Sequence, residues 1–189
     1  RGDMVWSAAV SEELRSRATA VIGNFPVSQA SQYTRLEWLQ TFSAGVDAYI
    51  CPGVLPRGTM VTNASGAYGQ SVSEHMFATM WALMKNLNRY ASNQRDHQWQ
   101  DEGPVLSPEG GIALIIGVGD IGSHFAQLAQ SVGMRTFGVR RHADVPAKGI
   151  EKMYGFERLE TLLPLADVVA MAVPRSPQTH HLLNADRLG

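Results

Sequence analysis

One cysteine, Cys51, in 189 residues excludes an internal disulfide framework and fits a reducing compartment. Neither sign of charge is in excess. The 16 Lys and Arg against 17 Asp and Glu leave a formal net charge of −1. With no basic run, the chain lacks the electrostatic footprint of a nucleic-acid or anionic-membrane binder. No apolar run approaches the roughly eighteen residues of a membrane span, and no signal-peptide pattern opens the chain. Neither nucleic acid nor membrane is therefore an expected partner, and a cytoplasmic location is the expectation. Nothing resembles HExxH. The histidines at 75, 97, 124, 142, 180 and 181 are scattered, and Glu74 and His75 point in different directions on a helix, so no metal site is expected. What the chain does have is ordinary core material. Its 44% hydrophobic content serves one large domain or two small ones.

The informative stretch is GIALIIGVGDIGSHFAQLAQSVGMRTFGVRR, residues 111–141. Residues 112–116 are apolar without alternation, as in a strand buried on both faces of a parallel sheet. Gly117-Val118-Gly119-Asp120-Ile121-Gly122 follows at once. Ile121, Phe125, Leu128, Ala129 and Val132 then recur at helical spacing, with Gly133 closing the helix, and residues 135–139 form a second strand. This is a dinucleotide-binding βαβ unit. Gly117 permits the turn off the strand, Gly119 lets a pyrophosphate approach bare backbone, and Gly122 lets the helix pack closely on the sheet. A lone GxGxxG also closes ordinary turns; here the flanking strand and helix favour the cofactor. At the end of the second strand, where NAD-binding units place an acidic residue for the ribose, stand Arg140 and Arg141. A guanidinium grips a 2′-phosphate through parallel hydrogen bonds, so the reading is NADP(H) over NAD(H). An exposed arginine pair, with Asp144 reaching back to the ribose, stays open as the other reading.

Upstream, residues 4–8 read as a short strand. Ser11 with Glu12 and Glu13 reads as a helix entry leading through Leu14 and Ala18. Strands are expected over 20–23, 38–42 and 61–64, making a small α/β unit. Between the last two, Ser43-Ala44-Gly45-Val46-Asp47 is either a carboxylate seat of bare backbone N–H groups or only a turn. Residues 51–58 form a Pro- and Gly-rich loop. Ser71-Val72-Ser73-Glu74 fits a capping box, and a long helix is expected from there toward Tyr90. Val72, Met76, Met80, Leu83, Met84 and Leu87 give it one apolar face, widened by Phe77 and Trp81. Such breadth means either a central core helix or a homodimer interface through residues 71–90. Residues 99–110 are a connector. A strand over 152–156, a short helix over 159–163 and a doubly buried strand over 167–173 follow. The loop 174–179 then lies at the same sheet edge as the glycine turn. Ser176 and Thr179 are either donors to a ribose or caps for a helix that His180 begins.

In this order, SAGVD, SGAYGQSVSEH, NQRDHQW, LIIGVGDIGS, GMRTFGVRR and ADVVAMAVPRSPQTHHLLN resemble the D-isomer-specific 2-hydroxyacid dehydrogenases over most of the chain. The glyoxylate/hydroxypyruvate reductase branch is the most similar, with phosphoglycerate dehydrogenase-like NAD enzymes next. The resemblance implies an α/β protein: a Rossmann doubly wound parallel sheet (65–189, incomplete at its C-terminal end) and a partial flavodoxin-like substrate domain (1–64), with a cleft between them. It further implies a homodimer built on the long helix. The implied reaction is hydride transfer from NADPH to a small 2-keto acid, giving a D-2-hydroxy acid. Carried over by position, Ala44 and Gly45 would seat the substrate carboxylate. Gly117, Gly119, Asp120, Ile121 and Gly122 would hold the pyrophosphate, and Arg140 and Arg141 the 2′-phosphate. Val173, Pro174 and Thr179 would line the ribose path, and Met76 would lie near the nicotinamide. The family's catalytic Arg, Glu and His fall in RG, EP and PH motifs beyond the last residue here, and none of the six histidines matches that position. Both ends read as cut. The rival expectation is a non-catalytic, nicotinamide-sensing, co-repressor-like interaction protein, since fold does not fix function.

Overall fold

The side chain of Ser11 accepts the Leu14 amide, and Glu12 and Glu13 lie in the first turn of helix α1 (Glu12–Arg17), where the positive end of the helix favours them. The computed structural model describes residues 10–188, so the strand expected over 4–8 lies outside the described residues. The chain divides into two compact units, Arg1–Ala67 and Tyr68–Gly189.

In the first unit, β1 (Ala20–Ile22), β2 (Trp38–Gln40) and β3 (Met60–Thr62) form a parallel sheet in that order, with Val21, Leu39 and Val61 in register. The strands are shorter than the apolar runs suggested. Its core is aromatic: Phe25 stacks on Tyr33 at 4.3 Å and meets Tyr49 edge-on at 5.2 Å. The buried Tyr49 hydroxyl donates to the Phe25 carbonyl (2.6 Å) and accepts from the Phe25 amide (3.0 Å), so burial leaves its polar tip satisfied.

The second unit is built on a parallel four-stranded sheet in the order β6-β5-β4-β7, comprising β4 (Ile112–Ile116), β5 (Arg135–Val139), β6 (Lys152–Tyr154) and β7 (Val168–Met171). Strand β4 is doubly buried as its composition predicts. Ala113 and Ile115 face one core with Phe125, Ala126, Ala129, Met80 and Met84, while Leu114 and Ile116 face another with Phe137, Val139, Leu159 and Leu162. Helix α4 (Asp120–Ser131) ends with Gly133 N–H on the Gln130 carbonyl and Met134 N–H on the Ala129 carbonyl, the pattern that a glycine after the cap produces. The short helix α5 (Leu159–Leu162) covers the second face.

Three expectations need correction. The helix expected from Ser71 is two helices, α2 (Gly69–Met84) and α3 (Leu87–Arg95), broken at Asn86, whose φ is +53°. Ser71 therefore sits inside the first turn, and Glu74 accepts from Gln70 Nε2 (2.9 Å) rather than closing a capping box. Residues 167–173 are not doubly buried. Val169 and Met171 are exposed, because β7 is an edge strand with one face uncovered among the described residues. Finally, His180 begins no helix. Residues 177–181 are turns, and α6 (Ala185–Leu188) starts after Asn184, whose side chain accepts the Arg187 amide.

Candidate functional site

In the second unit the strand order reverses direction at β4: one crossover leads to β5 on one side, and the chain later returns to β7 on the other. Ligands of open parallel sheets gather outside the carboxyl ends of strands at such a point. The turn after β4 is shaped by crowding. Gly117 has φ +92°, and a Cβ there would overlap the Ala172 carbonyl and lie 2.7 Å from Val173 Cγ1. A Cβ on Gly122 would overlap the Gly117 carbonyl, so helix α4 starts hard against the strand end. Gly119 is the opposite case, since a Cβ there would meet nothing within 4 Å. The open side is where an incoming group has room.

Hydrogen bonding completes the picture. Gly117 N–H is taken by the Val139 carbonyl (2.8 Å) and Ser123 N–H by the Gly119 carbonyl (2.9 Å). Among the described residues, the amides of Val118, Gly119, Asp120, Ile121 and Gly122 find no acceptor. Five consecutive free donors at the positive end of a helix can seat a phosphate anion. Residues 77–189 match the family model described as D-isomer specific 2-hydroxyacid dehydrogenase, NAD binding domain. The chain belongs to this family.

The relatives agree. Glycerate dehydrogenase of Methylorubrum extorquens is 26% identical over 188 residues, covering 95% of this chain and 57% of that protein. Glyoxylate reductase of Thermofilum pendens is 28% identical over 162 residues, 81% of this chain and 47% of that one. A solved D-isomer specific 2-hydroxyacid dehydrogenase family protein from Aeromonas salmonicida subsp. salmonicida A449 superposes with a TM-score of 0.82 at 30% identity, covering 93% of this chain and 56% of that one. The chain thus spans about half the length of the relatives it matches. The family is one of NAD(P)-dependent oxidoreductases acting on CH–OH donors, with small 2-hydroxy or 2-keto acids as substrates.

Around the dehydrogenase family's glycine turn, the sequence-predicted residues fall into distinct settings. Asp120 and Ile121 open α4, with the Asp120 carboxylate lying where a Cβ on Gly69 of α2 would be. Arg140 leaves the end of β5 but does not present a free fork. Its Nε donates to the His142 carbonyl (2.9 Å), Nη1 to the Val118 carbonyl (3.4 Å) and Nη2 to the Val145 carbonyl. It therefore ties the loop after β5 to the glycine turn. Arg141 is exposed. Val173 packs beside Gly117, whereas Pro174 is exposed. Thr179 is engaged locally, with its hydroxyl donating to the Pro174 carbonyl (2.6 Å) and accepting from the Ser176 amide (2.9 Å). The 174–179 segment is a self-closed turn. Met76, on α2, packs against the core cluster that includes Val118 of the glycine turn.

In the first unit, the carbonyls of the Ser43–Gly45 turn are occupied. Thr41 Oγ1 donates to the Ser43 carbonyl (2.8 Å), Asn63 Nδ2 to the Ala44 carbonyl (2.8 Å) and Ser43 Oγ to the Gly45 carbonyl (2.8 Å). The amides of Ala44 and Gly45 find no acceptor among the described residues. A turn held by its carbonyls leaves its N–H groups for an anion.

Sequence reasoning missed a cleft of about 390 Å³ beside Arg140, whose other polar walls include Ser123, His124, Gln127 and Lys148. A usable signal was present. Asp120, Ser123, His124 and Gln127 recur at i, i+3, i+4 and i+7, a polar stripe on the face of α4 away from its apolar one.

Proposed function

We propose that this chain carries the cofactor cradle and the carboxylate seat of an NADPH-dependent reductase of small 2-keto acids of the glyoxylate or hydroxypyruvate type, giving the D-2-hydroxy acid. The observation that carries the reading is the row of five amides at 118–122 that find no acceptor among the described residues, set at the switch point of the sheet. Gly117, Gly119, Asp120, Ile121 and Gly122 border the pyrophosphate. Val173, Pro174 and Thr179 flank the ribose path, and Met76 is assigned to the nicotinamide side. Arg140 and Arg141 stand where a carboxylate would favour NAD(H), which supports NADP(H). Residues 1–64 serve as the substrate domain and 65–189 as the cofactor domain of a cytoplasmic homodimer. The exposed Val72, Leu83 and Leu87 on or just beyond α2 support a partner there.

The nicotinamide, when bound, supplies a hydride to the keto carbon. The protein holds the acceptor: the Ala44 and Gly45 amides take the keto acid's carboxylate by two hydrogen bonds. No residue of this chain is assigned the proton donor's role. Similarity to a glycerate dehydrogenase and a glyoxylate reductase supports this substrate class. Titration calorimetry with NADPH and NADH is the test. NADPH is expected to bind about tenfold or more tightly, a difference of roughly 1.4 kcal/mol or more. Tighter binding of NADH would overturn the phosphorylated-cofactor reading.

A further inference from the structure

We infer that Lys148 is the residue that decides for a 2′-phosphorylated cofactor, by supplying the net positive charge of the cleft between α4 and the loop after β5. This rests on the NADP(H) reading above and goes further, because it moves the selecting charge away from the arginine pair at the strand tip. Arg140 reaches the cleft, but three of its five N–H groups are spent on the carbonyls of Val118, His142 and Val145. Its charge is also opposed there. The Asp120 carboxylate lines the same cleft, paired with His124 Nδ1 at 3.4 Å. The formal charges of Arg140 and Asp120 offset each other there. Lys148 then turns a neutral pocket into a cationic one.

The loop holds Lys148 in place for this. Gly149, at φ +74°, lies so close to α4 that a Cβ would sit 2.6 Å from the Gln127 amide nitrogen. On either side of the Lys148-Gly149 pair, Ala147 and Ile150 pack against the core. The backbone of residue 148 is therefore pinned beside the helix, while its ammonium has no hydrogen bond or ion pair among the described residues. A phosphate monoester, largely dianionic at neutral pH, gains from that unpaired charge, and a ribose hydroxyl does not. The cleft has room for both the phosphate and part of the ribose.

The test uses the whole chain with two adenine-side probes, adenosine 2′,5′-bisphosphate and 5′-AMP, in calorimetry at fixed ionic strength. The wild type is expected to favour the bisphosphate. Lys148→Ala is expected to lower that preference about tenfold with 5′-AMP binding unchanged, and Lys148→Arg to keep most of it. Thermal unfolding of each variant checks that the fold is retained, which the exposure of this side chain predicts. An unchanged preference in Lys148→Ala, or an equal loss for both probes, overturns the role of Lys148 while the wild type's own preference leaves the NADP(H) reading standing. A wild type that does not distinguish the probes overturns both.

Discussion

Gly117, Gly119 and Gly122 share one motif but meet different physical constraints. Gly122 is a packing residue, because a Cβ there would run into the Gly117 carbonyl and lie 3.1 Å from Ile115 Cγ2. Gly122→Ala is therefore expected to destabilise the protein by about 1–3 kcal/mol, read by urea denaturation. Gly119 has φ −101° and open space beside it, so Gly119→Ala should leave stability within about 0.5 kcal/mol while weakening dinucleotide binding. Equal losses of stability in the two variants would refute this division. A second residue-scale expectation concerns Glu151 at the far end of the sheet. Hydrogen bonds from Arg135 Nε (3.1 Å) and Nη2 (2.7 Å) hold the Glu151 carboxyl below its usual range, and the same contact raises the Arg135 guanidinium. A carboxyl whose folded value is depressed adds stability above its unfolded value, and that increment disappears as pH falls through the folded one. Comparing the wild type with Glu151→Gln, the difference in urea midpoint should be present at neutral pH, vanish in acid and shrink with salt, since the pair is exposed.

Among the elements, the long apolar segment after residue 68 shows what pattern alone misses. Apolar spacing runs on through Leu87, but the backbone turns at Asn86 into the left-handed region, where asparagine is tolerated. The break is held from outside the helix. Asn86 Nδ2 donates to the Glu102 and Pro104 carbonyls, and Lys85 Nζ donates to the Leu106 carbonyl, so the connector dictates where α2 ends. Asn86→Ala is expected to cost about 1–2 kcal/mol through the unfavourable φ alone, with further loss from the missing bonds. Asn86→Gly, which keeps the turn, should be milder. Chemical denaturation of both checks the order, and a harsher glycine variant would contradict it. The strand β7 teaches the same lesson. An unbroken apolar run predicted burial on both sides, yet coverage depends on which element lies over each face.

For the molecule as a whole, the proposed cofactor cradle lies within the second of the two units, and ligand linkage is read there. With NADPH at about a hundred times its Kd, bound protein gains roughly 2.7 kcal/mol against unfolding. Hydrogen exchange is expected to slow at the amides of 118–122 and along the 140–148 loop, with the strands of the first unit, 20–22 and 38–40, unaffected. Protection spread evenly over both units would place the cofactor elsewhere.

Local chemistry makes much of this legible in the sequence. The βαβ unit follows from an apolar run, a glycine turn, a helical stripe and a closing glycine, each a property of neighbours along the chain. The bare amides at 118–122 and at Ala44–Gly45 follow too, since turns after strand ends leave donors uncovered. Tertiary structure decided what distance along the chain conceals. Only folding spends Arg140 on carbonyls up to 22 residues away and carries Lys148 to the flank of α4. The reason is physical: spacing specifies which face a residue occupies, but charge selectivity depends on which groups from separate segments share one cleft, and that is set by packing.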